Sequence, residues 1–152
     1  MANVKSAPAP RPSPSELLAI LEDHGYRPTS QRRDVVSLLE SKEVGFTVEE
    51  LTEELIEVGR ATVYRTIKLL LDAGVLCRVS LADGTPKYIV ARREHHHHTV
   101  CVRCDTVGEF RSSTVERVLR TIGADIPGKI IGHRMEIFLI CDSCSESIPH
   151  FR

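Results

Sequence analysis

RATVYRTIKLLLDAG, residues Arg60 to Gly74, runs directly into VLCRVSL (Val75 to Leu81), ADG (Ala82 to Gly84) and TPKYIVA (Thr85 to Ala91), and this stretch decides the fold. In its first part Val63, Ile67, Leu70 and Leu71 recur at the i, i+4, i+7, i+8 spacing of one helical face. At about 100° per residue, Arg65 falls about 180° from that face, flanked by Thr62, Lys68, Ala61 and Leu69. One helix thus hides an aliphatic stripe and presents a cationic one. Gly74 stops it, and the next two runs predict short strands around an Asp83-Gly84 turn.

Toward the N-terminus, Ser15 is placed to cap a helix carrying Leu17, Leu18, Ile20 and Leu21, with Gly25 ending it. Thr29 or Ser30 opens a second helix with Val35, Val36, Leu38 and Leu39 inward. Thr47, with Glu50 three residues on, forms a capping box for a third helix carrying Leu51, Leu55, Ile56 and Val58. The Ala-, Pro- and Ser-rich residues 1–14 bury nothing and predict a flexible arm. Three helices and a hairpin, with one extra helix in front, is the order of a winged helix, which presents its last helix to a major groove. An ordinary amphipathic surface helix would carry similar charge. The order of elements favours the recognition helix, and Arg27, Arg32 and Arg33 add positive charge from the preceding helices.

Toward the C-terminus the pattern changes. His95, His96, His97 and His98 precede CVRC, then come a strand-like Val107 to Phe110 and a helix capped by Ser112 or Ser113 with Val115, Val118, Leu119 and Ile122 inward. GKIIGHRMEIFLI predicts one or two strands, and CDSC closes a small mixed α/β module. The pairs Cys101/Cys104 and Cys141/Cys144 have the spacing at which a knuckle turn aims two sulfurs at one point. Four thiolates make a closed tetrahedral zinc site, with a folding role and no open position for catalysis. A thioredoxin-like redox pair needs a strand-to-helix setting that neither knuckle has. If the His run is extended, His95 and His97 point one way and His96 and His98 the other, so it can serve two metal sites; a solvated low-complexity tract is the alternative. His133, on a predicted strand, and Glu116, on a predicted helix, are further ligand candidates, each equally suited to a solvated surface role. Cys77 in the wing is either a small buried hydrophobe or a ligand.

Composition sets the bounds. Across 152 residues, 41% are hydrophobic, 27% charged and none Trp, which suits an ordinary globular chain with a Leu, Ile and Val core. Lys plus Arg is 20 and Asp plus Glu is 21, so any affinity for a polyanion must come from local charge. The acidic third helix, with Glu49, Glu50, Glu53, Glu54 and Glu57, offsets a basic patch elsewhere. No apolar run is long enough to span a bilayer and no secretory signal is visible, so a cytoplasmic protein without membrane contact is expected, its cysteines reduced and available to metal.

RPTSQR (Arg27 to Arg32), ATVYRT (Ala61 to Thr66), HHHH before CxxC, then a Glu, a His and a second CxxC together resemble the ferric uptake regulator family of metal-dependent bacterial repressors, from about Ser15 to Cys144. The resemblance implies an α+β protein: residues 15–92 a winged-helix DNA-binding domain, residues 93–152 a metal-binding dimerisation domain. It implies a homodimer bound to an inverted-repeat, A·T-rich double-stranded DNA operator. It places Tyr64 and Arg65 against bases and backbone, Arg27 in the minor groove and Arg32 at phosphate. Thr62 and Lys68 on the same cationic face are taken with them. Cys101, Cys104, Cys141 and Cys144 match structural zinc ligands, and His95, His97, Glu116 and His133 a second site. His96 and His98 match ligands of a regulatory site at the hinge between the domains.

The departures from the family pattern bear on the metal. Iron-sensing members carry a His where this chain has Gly45, and a Glu where it has Ile89. Zinc-sensing members take a ligand from just after the fourth helix, where Cys77 falls, and thiolate suits zinc. A cysteine those members carry before the His run is replaced here by Val90 or Ala91, leaving Glu109, Glu94 or water for the fourth place. The expectation is a repressor with structural zinc and a regulatory zinc, iron(II) or manganese(II) ion; iron, manganese, nickel or peroxide sensing is the alternative within the family. A zinc hydrolase or deaminase is disfavoured because no HExxH, and no HxE paired with PCxxC, occurs. A zinc storage protein would leave the ATVYRT helix without a purpose.

Overall fold

The computed structural model describes residues 10–91 and 94–146. The chain divides into two compact units, the first ending at Glu94 and the second beginning at His95. Most of the arm expected over residues 1–14 lies outside the described residues.

In the first unit α1 (Pro14–Asp23) is capped by Ser13, not Ser15. The Ser13 hydroxyl accepts from the Glu16 N–H at 3.3 Å, and the Glu16 carboxylate accepts from the Ser13 N–H at 2.7 Å. Only Ser13 has a Glu three residues on, and Pro14, with no N–H to satisfy, suits the first helical position. Helix α2 (Ser30–Leu39) is capped by Thr29, and α3 (Val48–Glu54) by the expected Thr47/Glu50 box. Helix α3 is shorter than its apolar pattern predicts: Leu55 is its C-cap, Val58 is buried in the connection, and Ile56 is 85% exposed. Helix α4 (Arg60–Asp72) buries Val63, Ile67 and Leu70. It also buries Thr66, whose hydroxyl donates to the Thr62 carbonyl at 2.8 Å.

Strands β1 (Leu76–Ser80) and β2 (Pro86–Val90) pair antiparallel, with Leu76 opposite Val90. In their connection Gly84 takes φ +86°, and the Asp83 carboxylate accepts from the Thr85 N–H at 2.8 Å. The segment before α3 joins this hairpin: Phe46 and Tyr88 exchange two backbone hydrogen bonds of 2.8 and 2.7 Å and stack their rings. Phe46 is fully buried and packs in one core with Leu17 and Leu21 of α1, Val36 of α2, Leu51 of α3 and Leu70 of α4.

The second unit is a small mixed α/β module. Strands β3 (His97–Cys101), β4 (Val107–Phe110) and β5 (Glu136–Leu139) form a sheet of order β4-β3-β5, with β3 antiparallel to β4 and parallel to β5. Helix α5 (Ser113–Gly123), capped by Ser112, lies between β4 and β5 in the chain, and α6 (Asp142–Ser145) follows. The apolar face of α5 is not the buried one expected: Val118 is 49% and Ile122 44% exposed, and no residue of the helix is buried. GKIIGHRMEIFLI contributes one strand, and His133 lies in the irregular segment before it.

Gly45 is the tightest backbone position of the first unit. It has φ +91°, and a Cβ there would lie 3.0 Å from the Tyr88 carbonyl oxygen, which the Phe46 N–H holds in place. Gly25, at φ +83°, has nothing within 4 Å of such a Cβ. Gly25→Ala should therefore cost about 1–2 kcal/mol for its left-handed backbone alone, and Gly45→Ala clearly more. Denaturant unfolding checks this, and equal losses would show that the Tyr88 carbonyl yields.

Candidate metal centres and nucleic-acid interface

Two ligand clusters assemble within the second unit. Cys101 ends β3, and the turn after it closes with the Asp105 N–H on the Cys101 carbonyl at 3.0 Å while Asp105 takes φ +57°. Cys141 is the N-cap of α6, and Cys144 lies one turn on, its N–H on the Cys141 carbonyl at 3.0 Å. The four sulfurs lie within 4.8 Å of one another, Cys104 and Cys141 at 3.7 Å. A tetrahedron with zinc–sulfur bonds of about 2.3 Å has edges of about 3.8 Å, so the thiols fit that ion. The Cys141 N–H, 3.4 Å from Cys101 Sγ, is the largest of several backbone donors that bring the Cys101 thiol down to about 6. Cys144 is pushed up to about 12, chiefly by its hydrogen bond with Cys141. Four thiols this close cannot all ionise without a cation among them.

The second cluster uses the other chemistry of β3. Glu116, in the first turn of α5, sets one carboxylate oxygen 3.0 Å from His97 Nε2, 3.2 Å from His95 Nε2 and 3.4 Å from His133 Nε2. The Nε2 atoms of His95 and His133 are 3.0 Å apart. Burial alone would raise the Glu116 carboxyl, but the hydrogen bond with His97 and the imidazole charges around it outweigh burial and hold it below the usual carboxylate range. Three imidazoles and one oxygen converge with edges near the roughly 3.3 Å of a tetrahedron with bonds of about 2.0–2.1 Å. All four expected residues are therefore together, although His133 comes from a loop.

His96 and His98 face away from that cluster as an extended run requires, their ring centroids 4.8 Å apart. His98 Nε2 is buried with no hydrogen-bond partner, and its imidazole is pushed down to about 4 by burial first and by the nearby charges of His96, Arg134 and His97. It is neutral at pH 7, with a lone pair to give. Glu109 on β4 stands directly opposite His98 in the strand register, hence on the same face, with one carboxylate oxygen buried. Glu94 is exposed. Cys77 lies half-buried on β1 of the first unit, while Val90 and Ala91 are buried and apolar.

On α4, Tyr64, Arg65 and Lys68 are exposed and Thr62 is half-buried. Arg65 Nε donates to the Ala61 carbonyl at 3.1 Å, and Lys68 pairs with Asp72 at 2.9 Å. Arg27 is exposed, whereas Arg32 serves the fold in part: it donates to the Arg27 carbonyl at 2.6 Å and covers the Tyr26 ring. Sequence reasoning missed Arg60 and Glu49, which contact Tyr64 on this surface. A signal was present in Arg60 itself, a cation at the positive end of a helix.

The two clusters make separable predictions. In metal-loaded protein Cys104→Ser should lower the metal content by about one ion per chain and abolish the cooperative melt of the second unit. Glu116→Gln should weaken metal at the His site by about 10- to 100-fold, on the scale of losing a ligand's charge, and leave the thiolate zinc in place. Metal analysis alongside calorimetry checks both.

The ferric uptake regulator family model matches residues 23–138. The ferric uptake regulation protein of Rhizobium leguminosarum bv. viciae is 36% identical over 120 residues, covering 76% of this chain and 84% of that one. Among solved structures, a zinc-bound manganese uptake regulator is similar at 33% identity and a TM-score of 0.64, covering 82% of this chain and 98% of its own. The ferric uptake regulator of Francisella tularensis with iron is similar at 28% identity and a TM-score of 0.68, covering 80% and 96%. With a winged helix in its first unit and the small α/β module in its second, the chain belongs to the ferric uptake regulator family, whose members are DNA-binding transcription regulators and not enzymes.

Proposed function

We propose that the protein is a zinc-responsive repressor that binds an A·T-rich inverted repeat as a homodimer, with residues 15–92 forming its DNA-binding domain and residues 93–152 its dimerisation domain. The observation that carries zinc over iron is the backbone at Gly45, where any side chain would meet the Tyr88 carbonyl oxygen at 3.0 Å. Ile89 is fully buried. The two positions at which the resemblance gives iron sensors a His and a Glu thus have no ligand to offer. Cys77, His96 and His98 remain as regulatory ligands, with Glu109 favoured for the fourth place by its register opposite His98. A thiolate with two imidazoles suits zinc. Cys101, Cys104, Cys141 and Cys144 would hold structural zinc, and His95, His97, Glu116 and His133 a second ion.

Bound zinc supplies a cross-link among its ligands and no redox chemistry. Cys77 belongs to the first unit and His96 and His98 to the second, so joint ligation would select one arrangement of the two. A duplex that prefers the same arrangement then binds more tightly, and by linkage tightens metal binding in return. Tyr64 and Arg65, with Thr62 and Lys68, would read the major groove, Arg27 the minor groove, and Arg32 would meet phosphate. Dimerisation is supported by the exposed Val118 and Ile122 of α5, by the exposed Ile137 and Phe138 of β5, and by the position of β5 at the edge of its sheet. A dimer can set two recognition helices about 34 Å apart, one helical turn of DNA. Among the described residues no helix is long and apolar enough to cross a membrane. A reducing cytoplasm would keep the thiols available as ligands.

The deciding experiment titrates zinc, iron(II) and manganese(II) into protein that retains its thiolate zinc, with binding to an A·T-rich inverted-repeat duplex as the readout. Zinc should tighten binding, and Cys77→Ser should remove that response while leaving the melt of the second unit unchanged. Arg65→Ala should weaken the metal-loaded complex by about 1–3 kcal/mol. Tightening by iron or manganese that survives Cys77→Ser would overturn the zinc assignment.

A further inference from the structure

A carboxylate stands on the surface that this reading gives to DNA. Tyr64 Oη donates to Glu49 Oε1 at 2.8 Å and accepts from the Arg60 guanidinium at 3.3 Å. Arg60 is itself 3.6 Å from the Glu49 carboxylate, and its guanidinium carbon lies 5.5 Å from the Tyr64 ring centroid. The hydrogen bond from Tyr64 is the main reason that the Glu49 carboxyl lies below its ordinary range, so it is ionised.

One feature of this triad runs against ordinary stability, and a second runs against binding a polyanion. Arg60 is the first residue of α4, where the helix dipole disfavours a cation. Glu49, well placed for the N-terminal end of α3, brings negative charge within hydrogen-bonding distance of Tyr64 on the recognition helix. All three side chains are exposed, and exposed ion pairs contribute little to stability. Their arrangement is better explained by what the surface must discriminate. Glu49 satisfies the Tyr64 hydroxyl and orients the ring, leaving its apolar edge for a base, and it occupies Arg60 while no phosphate is present. Near any duplex it repels the backbone.

We propose that Glu49 is a specificity-determining residue of the DNA interface, a carboxylate that positions Tyr64 and Arg60 and penalises duplexes that offer phosphates without the matching bases. On a matching duplex Arg60 exchanges Glu49 for a phosphate, and base contacts by Tyr64 and Arg65 offset the repulsion. On any other duplex the repulsion stands uncompensated. This inference rests on the reading of α4 as the DNA-contacting helix, and the test separates the two.

Metal-loaded full-length protein is measured on two probes: a duplex selected by the wild-type protein from a randomised pool, and a permuted duplex of the same composition. In Glu49→Gln both should bind more tightly, the permuted one more so, and the ratio of the two affinities should fall roughly tenfold. The salt dependence on the permuted duplex should steepen by about 0.9 in log–log slope, one phosphate contact regained, which a purely structural role for Glu49 would not produce. Tyr64→Phe, which keeps the ring and the Glu49 charge but removes the hydrogen bond between them, should lower the same ratio through lost positioning while leaving the salt slope at its wild-type value, and it decides the matter if Glu49→Gln melts early. An unchanged ratio and slope in both variants, with Tyr64→Ala still losing the selected duplex, would overturn the role of Glu49 alone. Wild-type binding of the selected duplex by Tyr64→Ala would overturn the reading of α4 and this inference with it.

Discussion

The alternation of side chains along four histidines, of which His97 and His98 open β3 and His95 and His96 precede it, is the constraint on which the candidate metal clusters depend. A strand alternates its side chains, so this one tetrapeptide must divide its imidazoles between two faces. Strand β3 begins at His97 and is the middle strand of its sheet: its pairing with β4 fixes the register of His97 and His98, and its pairing with β5 that of His98. One face meets Glu116 and His133, and the other carries His96, His98 and the Glu109 position. The same strand ends at Cys101, so the thiolate cluster is fixed by the same ladder of hydrogen bonds. Each cluster of the second unit thus takes at least one residue from the register of β3, and the others from α5, α6 and the turns and loops around them.

In the first unit a comparable constraint is negative. The two backbone bonds between Phe46 and Tyr88 tie the segment before α3 to the wing and bring the Tyr88 carbonyl oxygen to 3.0 Å from where a Cβ at position 45 would lie. A side chain there would sit on a left-handed backbone and would need the Tyr88 carbonyl to give by a few tenths of an ångström.

Much of this was legible in the chain because it depends on local physics. Alternation divided the histidine run between two faces, the capping box at Thr47 and Glu50 marked α3, and of the aliphatic stripe of α4 Val63, Ile67 and Leu70 are buried while Leu71 is half-buried. Where local signals competed, reading failed. Ser15 looked like a cap, but Ser13 with Glu16 satisfies two N–H groups and wins. The apolar face of α5 was taken as core because periodicity reports amphipathicity and not what covers the face. His133 and Glu116 lie far apart in the chain, so each alone was as good a surface residue as a ligand until α5 and the loop before β5 brought them within 3.4 Å.

The sequence by itself determined the order of elements, the recognition-helix pattern, the spacing of the two thiol pairs and the identity of the family, because each is written in periodicity, spacing or residue chemistry within a short window. Tertiary structure alone decided which distant groups converge: the carboxylate of Glu116 on three imidazoles, the register of Glu109 opposite His98, the closure of Gly45 against Tyr88, and the meeting of Glu49 with Tyr64 and Arg60. These depend on where one element packs on another, and no local pattern in the chain encodes a distance between residues that only the packed core brings together.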